Sequence, residues 1–125
     1  MPYTVTHSGT VSVGSVAAST WAGTGWFDAH DTLTCTLKLA SGATAPTSIS
    51  VRVLGTNTTT GTPPAADTFE VARYVVTPAA ANQSTDFPVT LARGAYGDHR
   101  RYAIEASPTG QAITLSYILT RSALS

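Results

Sequence analysis

Charge is what this chain has least of. Asp, Glu, Lys and Arg make up 11% of its 125 residues, against roughly a quarter in ordinary soluble domains. Seven basic and seven acidic side chains cancel. Nucleic-acid binding needs a cationic surface that releases counterions, so no nucleic acid is expected as a partner. No apolar run approaches the roughly twenty residues a membrane-spanning helix requires, and no membrane is expected either. The opening Met-Pro-Tyr-Thr-Val has no basic stretch leading into an apolar one, so no signal peptide is expected. Cysteine is down to one, Cys35, which excludes an intramolecular disulfide. It lies in phase with Leu33, Leu37 and Leu39 and reads as a small buried hydrophobe rather than a reactive thiol. Helical periodicity is missing, and no repeat shows at solenoid or propeller spacing.

What remains is strand pattern. Hydrophobic residues are 42% of the chain, sufficient for one packed domain without disulfides or metal. From Thr32 to Leu39 alternation is nearly complete, with Leu33, Cys35, Leu37 and Leu39 inward and Thr32, Thr34, Thr36 and Lys38 outward. The β-branched threonines suit the exposed positions of a pleated surface. Ser48 to Leu54 continues with Ile49, Val51 and Val53 inward. In Arg100 to Thr120, two alternating runs flank Ser107-Pro108-Thr109-Gly110, which suits a type I turn. We expect a β-hairpin there, with one buried and one wetter face. Thr68 to Val76 is apolar on both parities and is expected to be a central strand. Pro88 moves the Phe87–Leu91 strand towards an edge. Gly23 and Gly25, beside both tryptophans, point to a bulge or a close backbone approach. Gly55 to Ala66, rich in Thr and Pro, is expected to be a long exposed loop, where binding often resides.

About eight strands with regular turn signals define an all-β fold: a single antiparallel β-sandwich of jelly-roll kind, with a closed barrel as the alternative. Residues 1–15 are expected to form an N-terminal arm or two short edge strands, and residues 16–125 the sandwich itself.

Few residues suggest chemistry. Asp28, His30 and Asp31 could hold a cation or serve as acid and base, but the position suits a turn in which aspartate bonds its own backbone. No Gly-x-Ser-x-Gly elbow and no His-Glu-x-x-His spacing occur. We therefore expect no enzyme activity, no metal and no cofactor. Arg93, Asp98, His99, Arg100 and Arg101 read either as locally paired charges at a hairpin edge or as ion-pairing groups between subunits. Trp21, Trp26, Tyr74, Tyr96 and Tyr102 could stack on sugars, although aromatics at sheet positions more often serve core or interface.

Ser48-Ile-Ser-Val-Arg-Val-Leu-Gly-Thr56 and Tyr102-Ala-Ile-Glu-Ala-Ser-Pro-Thr-Gly-Gln-Ala-Ile-Thr-Leu-Ser-Tyr117, set in a Thr/Ala/Gly-rich background poor in Lys and Glu, carry a resemblance. The chain resembles the small β-sandwich virion proteins of tailed bacteriophages, namely capsid decoration or cement, head-fibre and tail accessory proteins. The resemblance is one of style across most of the chain. It implies a non-enzymatic virion component, assembled in the host cytoplasm, that binds the major capsid protein or other virion proteins. A homo-oligomer is expected, a trimer in the first instance, joined by strand addition. The interface is then expected at Tyr3, Val5 and His7 in the arm and at Arg93, His99, Arg100 and Arg101. A glycan- or receptor-binding module of a tail or fibre is the alternative, with Trp21, Trp26, Asn57 and Thr59 as its platform.

Overall fold

The computed structural model describes residues 4–29, 32–92, 94 and 99–124, with the side chains of residues 4–9 and 121–124 outside that description. Nine strands follow one another among them: β1 (Thr4–Val16), β2 (Ala22–Gly23), β3 (Phe27–Asp28), β4 (Thr32–Ser41), β5 (Ser48–Thr56), β6 (Phe69–Val76), β7 (Ser84–Ala92), β8 (Arg101–Thr109) and β9 (Ile113–Leu124). One sheet has the order β1-β9-β4-β7 and the other β2-β8-β5-β6, with β3 also on β8. Every pairing is antiparallel. Neither sheet closes on itself, so the fold is a sandwich and not a barrel. With β2 and β3 counted as one interrupted strand, the chain changes sheet at every step except β5 to β6. That is the winding of an eight-stranded jelly roll.

Alternation builds the core. Leu33, Cys35, Leu37 and Leu39 of β4 are 1% exposed or less, as are Ile49, Val51 and Val53 of β5 and Ile104 of β8. Ile113, Leu115 and Tyr117 of β9 complete the inner layer. Each such aliphatic side chain removed from water contributes about 1.5–3 kcal/mol. Tyr74 and Phe87, with ring centroids 5.5 Å apart, close one side of the sandwich between β6 and β7. On the opposite side the Tyr117 hydroxyl donates to the Thr24 carbonyl at 3.2 Å.

The structure corrects the hairpin expected over Arg100–Thr120. β8 continues through Pro108 to Thr109, β9 begins at Ile113, and the two strands belong to different sheets. Gly110, at φ 91°, turns the chain across the sandwich. Tyr102, Ile104 and Ala106 then face Ile113, Leu115 and Tyr117 from the opposite layer, which buries both sets more fully than a side-by-side hairpin would. Nor is the outer face of β8 wet: Ala103, Ser107 and Arg101 are at most 9% exposed.

A second correction concerns β6, which is an edge strand and not a central one. Its register against β5 shifts between Val53 and Leu54, so Glu70 opposes Leu54 while Arg73 opposes Arg52. Apolar residues of both parities therefore do not mean burial on both faces, and Val75 is 74% exposed. The proline-bearing β7 lies at an edge, as its sequence indicates. Thr4–Val16 forms one long strand on β9, broken by a bulge between Ser12 and Gly14, in place of two short ones. The close approach anticipated near the tryptophans falls at Gly23, where a Cβ would lie 1.9 Å from the Ile104 carbonyl oxygen.

Cys35 is sealed in this core, and burial pushes its thiol up to about 12. A thiol reagent such as Ellman's should therefore label the folded protein only at the rate of unfolding. Immediate stoichiometric labelling in buffer would contradict this packing.

Candidate functional site

A cleft of about 330 Å³ lies at one end of the sandwich. Its walls come from distant stretches of chain: Asp28 and Ala29 after β3, Thr59 in the β5–β6 loop, Leu91 and Ala92 of β7, and His99 to Tyr102 entering β8. Short-range geometry explains the convergence. Antiparallel pairing sets Asp28 opposite Arg101, and the Ala29 amide donates to the Arg100 carbonyl at 3.0 Å. The Arg100 amide in turn donates to the Thr56 carbonyl at 3.0 Å, which brings the loop after β5 to the same rim.

Arg101 organises that loop. Its guanidinium is largely buried, and Nε and Nη2 donate to the carbonyls of Thr58 and Gly61 at 2.6 and 2.8 Å. Asp67 secures the loop from its other end. Its carboxylate accepts from the hydroxyls of Thr56 and Thr58 at 3.2 and 2.6 Å and from the Asn57 amide at 3.3 Å. The Thr58 hydroxyl is the main cause that holds this carboxyl below the ordinary aspartate value. The expected long loop is thus shortened to residues 57–64 plus a 3-10 turn, Ala65–Asp67, and is fixed by hydrogen bonds at both ends.

His99 fills a slot that the sequence alone does not announce. Gly55 sits where the inward series Ile49, Val51, Val53 calls for a side chain, and the imidazole takes that space. A Cβ on Gly55 would lie 2.6–2.7 Å from His99 Cδ2 and Cγ. Phe69 and Tyr102 flank the ring at centroid distances of 5.7 and 5.8 Å. Among the described residues Nδ1 is buried with no hydrogen-bond partner, so no hydroxyl or thiol there is poised against that nitrogen. The imidazole packs as an aromatic plug, with the exposed Arg100 as the cationic group at the cleft mouth.

The cleft therefore gathers His99, Arg100, Arg101, Thr59 and Asp28 from the residues singled out in the sequence. It does not gather the tryptophans into one platform. The Trp21 ring lies under Arg52 at 4.1 Å, with Arg73 at 5.2 Å, while Trp26 lies near Arg101 at 5.8 Å. Arg52 bonds Glu105 at 2.7–2.9 Å. Four residues along β8 separate that position from Arg101, about 13 Å at strand rise. Asn57 is exposed on the loop. Val5 and His7 occupy β1 opposite Ala123 and Arg121 of β9. Tyr3, His30, Asp31, Arg93, Tyr96 and Asp98 lie outside the described residues. Among the residues described, no three His, Cys, Asp or Glu side chains cluster to hold a metal ion. No helix there is long and apolar enough to cross a membrane.

No protein-family model matches the chain, and no curated protein matches it. Among solved structures the fold is similar to that of a chain from the work titled "Bacillus endospore appendages form a novel family of disulfide-linked pili". The match has a TM-score of 0.51 and 19% identity, and covers 98% of this chain and 89% of that one. At such identity the likeness is one of fold.

Two measurements check this geometry. Gly55→Ala should displace the imidazole and destabilise the protein by about 1–3 kcal/mol in denaturant unfolding. His99→Ala should restore much of that loss in the double variant; additive losses would place the strain elsewhere. Because Asp67 is held in its ionised form, its contribution is present above the ordinary aspartate value and is lost as pH falls through the lowered folded value. The acid-induced drop in denaturation midpoint between about pH 6 and pH 2.5 should shrink in Asp67→Asn. An identical pH profile in the variant would remove Asp67 from this role.

Proposed function

We propose that this chain is a non-enzymatic structural subunit used in many copies on a larger particle, and specifically that it is a decoration protein of a tailed-phage capsid. The observation that carries the reading is the set of strand edges that the two sheets leave unpaired among the described residues, on a chain of which only 11% is charged. The inward half of each strand is consumed by the core. The outward half of the β1-β9-β4-β7 sheet is rich in threonine and serine, which suits close packing against other protein better than repulsion between highly charged neighbours. Open edges accept a further strand through main-chain hydrogen bonds, the mode in which a rigid sandwich reinforces an assembled lattice.

The pilus protein of similar fold supports the coarser part of this reading, a β-sandwich put to structural use. Its title names disulfide linkage, a route unsuited to this chain, because its single cysteine is sealed at 0% exposure. Cohesion between copies is therefore read here as resting on contacts other than a disulfide. The cleft at the sheet ends fits the same reading as a rim where Arg100 and a rigid loop meet a carboxylate-bearing partner surface.

The test is stoichiometry. Density-gradient purified phage particles from the source should contain this chain in a fixed, high copy number relative to the major capsid protein. Its presence only in the soluble fraction, with intact particles lacking it, would contradict the proposal.

A further inference from the structure

Sheet edges in folded proteins are normally guarded by charge, proline, bulges or shortness, because an unguarded edge pairs with whatever strand it meets. The four edges of this sandwich differ sharply on that count. β7 carries Asp86 and Pro88 along its length. β6 carries the Glu70–Arg73 ion pair and a register shift against β5. On the side of β8 away from β5, the edge is formed by β2 and β3, two residues each.

β1 has none of these devices before its bulge. It is 13 residues long and contains no Asp, Glu, Lys, Arg or Pro, and His7 is its one titratable side chain. Its strand partner among the described residues is β9 alone, and the bulge falls late, between Ser12 and Gly14. Midway along it Val11 is 52% exposed, although it pairs with the buried Tyr117 and so lies on the core side of the sheet. An apolar side chain half-covered on the inner face of an edge strand is the form a sheet takes where it is meant to continue.

We propose that β1 is the self-association edge of this protein: it pairs antiparallel with β1 of a second copy across a two-fold axis near Val11, joining two four-stranded sheets into one. This rests on the multi-copy reading above and specifies one contact within it. Two arguments select a second copy as the occupant. A two-fold pairing places like segments opposite one another, which a charged edge resists and this uncharged, Thr- and Ser-rich one does not. The partly covered Val11 of each copy then gains cover from the neighbouring edge. Kept short of the bulge, the ladder between copies runs over about five residues, Ser8–Ser12, roughly 17 Å at strand rise.

The experiment is sedimentation of the full chain over a concentration series, with charge placed on the edge. Thr10 is exposed and faces outward, so Thr10→Lys and Thr10→Glu should leave the fold, read by circular dichroism and thermal melting, intact. Each variant alone should dissociate at least about tenfold more readily than the wild type. An equimolar mixture of the two should associate again as a heterodimer, because opposite charges then meet across the axis. Thr90→Lys on β7 carries the same charge change and should associate as the wild type does. Wild-type protein that stays monomeric throughout the series overturns the self-pairing, as does association indifferent to Thr10→Lys or a mixture that fails to recombine. The particle stoichiometry test stands apart from all three, since a chain held on the capsid by another edge would pass it.

Discussion

The structure depends on the inward alternation of β4 and β5. Leu33, Cys35, Leu37 and Leu39 present one layer, Ile49, Val51 and Val53 present the other, and all seven are withdrawn from water. A sheet face of this kind is costly to expose, so the strands that flank it must take positions completing the two layers. Because side chains alternate with a period of two, a slip of one residue in β4 would turn four core residues outward and four polar ones inward. Register is fixed by that penalty, and the jelly-roll winding follows as each strand but β6, which stays beside β5, supplies the layer opposite its predecessor.

Once the interior is committed, function is left to the outward half and the ends. The outward half of the β1-β9-β4-β7 sheet is hydroxyl-rich, with Lys38 opposite Asp86 in the register. On the other sheet, polar side chains are tied to one another: Arg52 to Glu105, Arg73 to Glu70, both arginines to Trp21. At the end, Arg101 and Asp67 hold the β5–β6 loop by charge-assisted hydrogen bonds to backbone and hydroxyls. Among the described residues, that loop is held at both of its ends. A loop so held pays little conformational entropy when it docks, which suits a part used repeatedly in an assembly.

Much of this was legible from residue types alone, and the misses have particular causes. Strand existence, the inward leucines, the buried cysteine and the edge position of β7 all follow from period-two alternation and from proline's missing donor. The Arg100–Thr120 stretch misled because alternation reports which side of a strand is buried but not which strand lies beside it. A proline–glycine pair closes a hairpin or a crossing between sheets with equal ease. β6 misled because a register shift against its partner exchanges the meaning of odd and even positions along it. The His99 slot was hidden since its signal is a missing side chain. Gly55 breaks the inward series after Val53, and reading the vacancy correctly would have required knowing that β8 returns beside it. Arg101 was legible as a candidate contact residue, but its carbonyl partners lie some forty residues away in sequence.

Amide hydrogen exchange, compared between the free chain and the chain on its purified particle, tests the central claim of a strand-edge assembly subunit most directly. The core amides of β4, β5 and β8 should exchange equally slowly in both states, since the block does not refold. New protection should appear in the outward-facing amides of an edge strand, in the alternating pattern that a ladder produces. Exchange identical at every edge in the two states, on particles that carry the chain, would contradict assembly through the sheet edges.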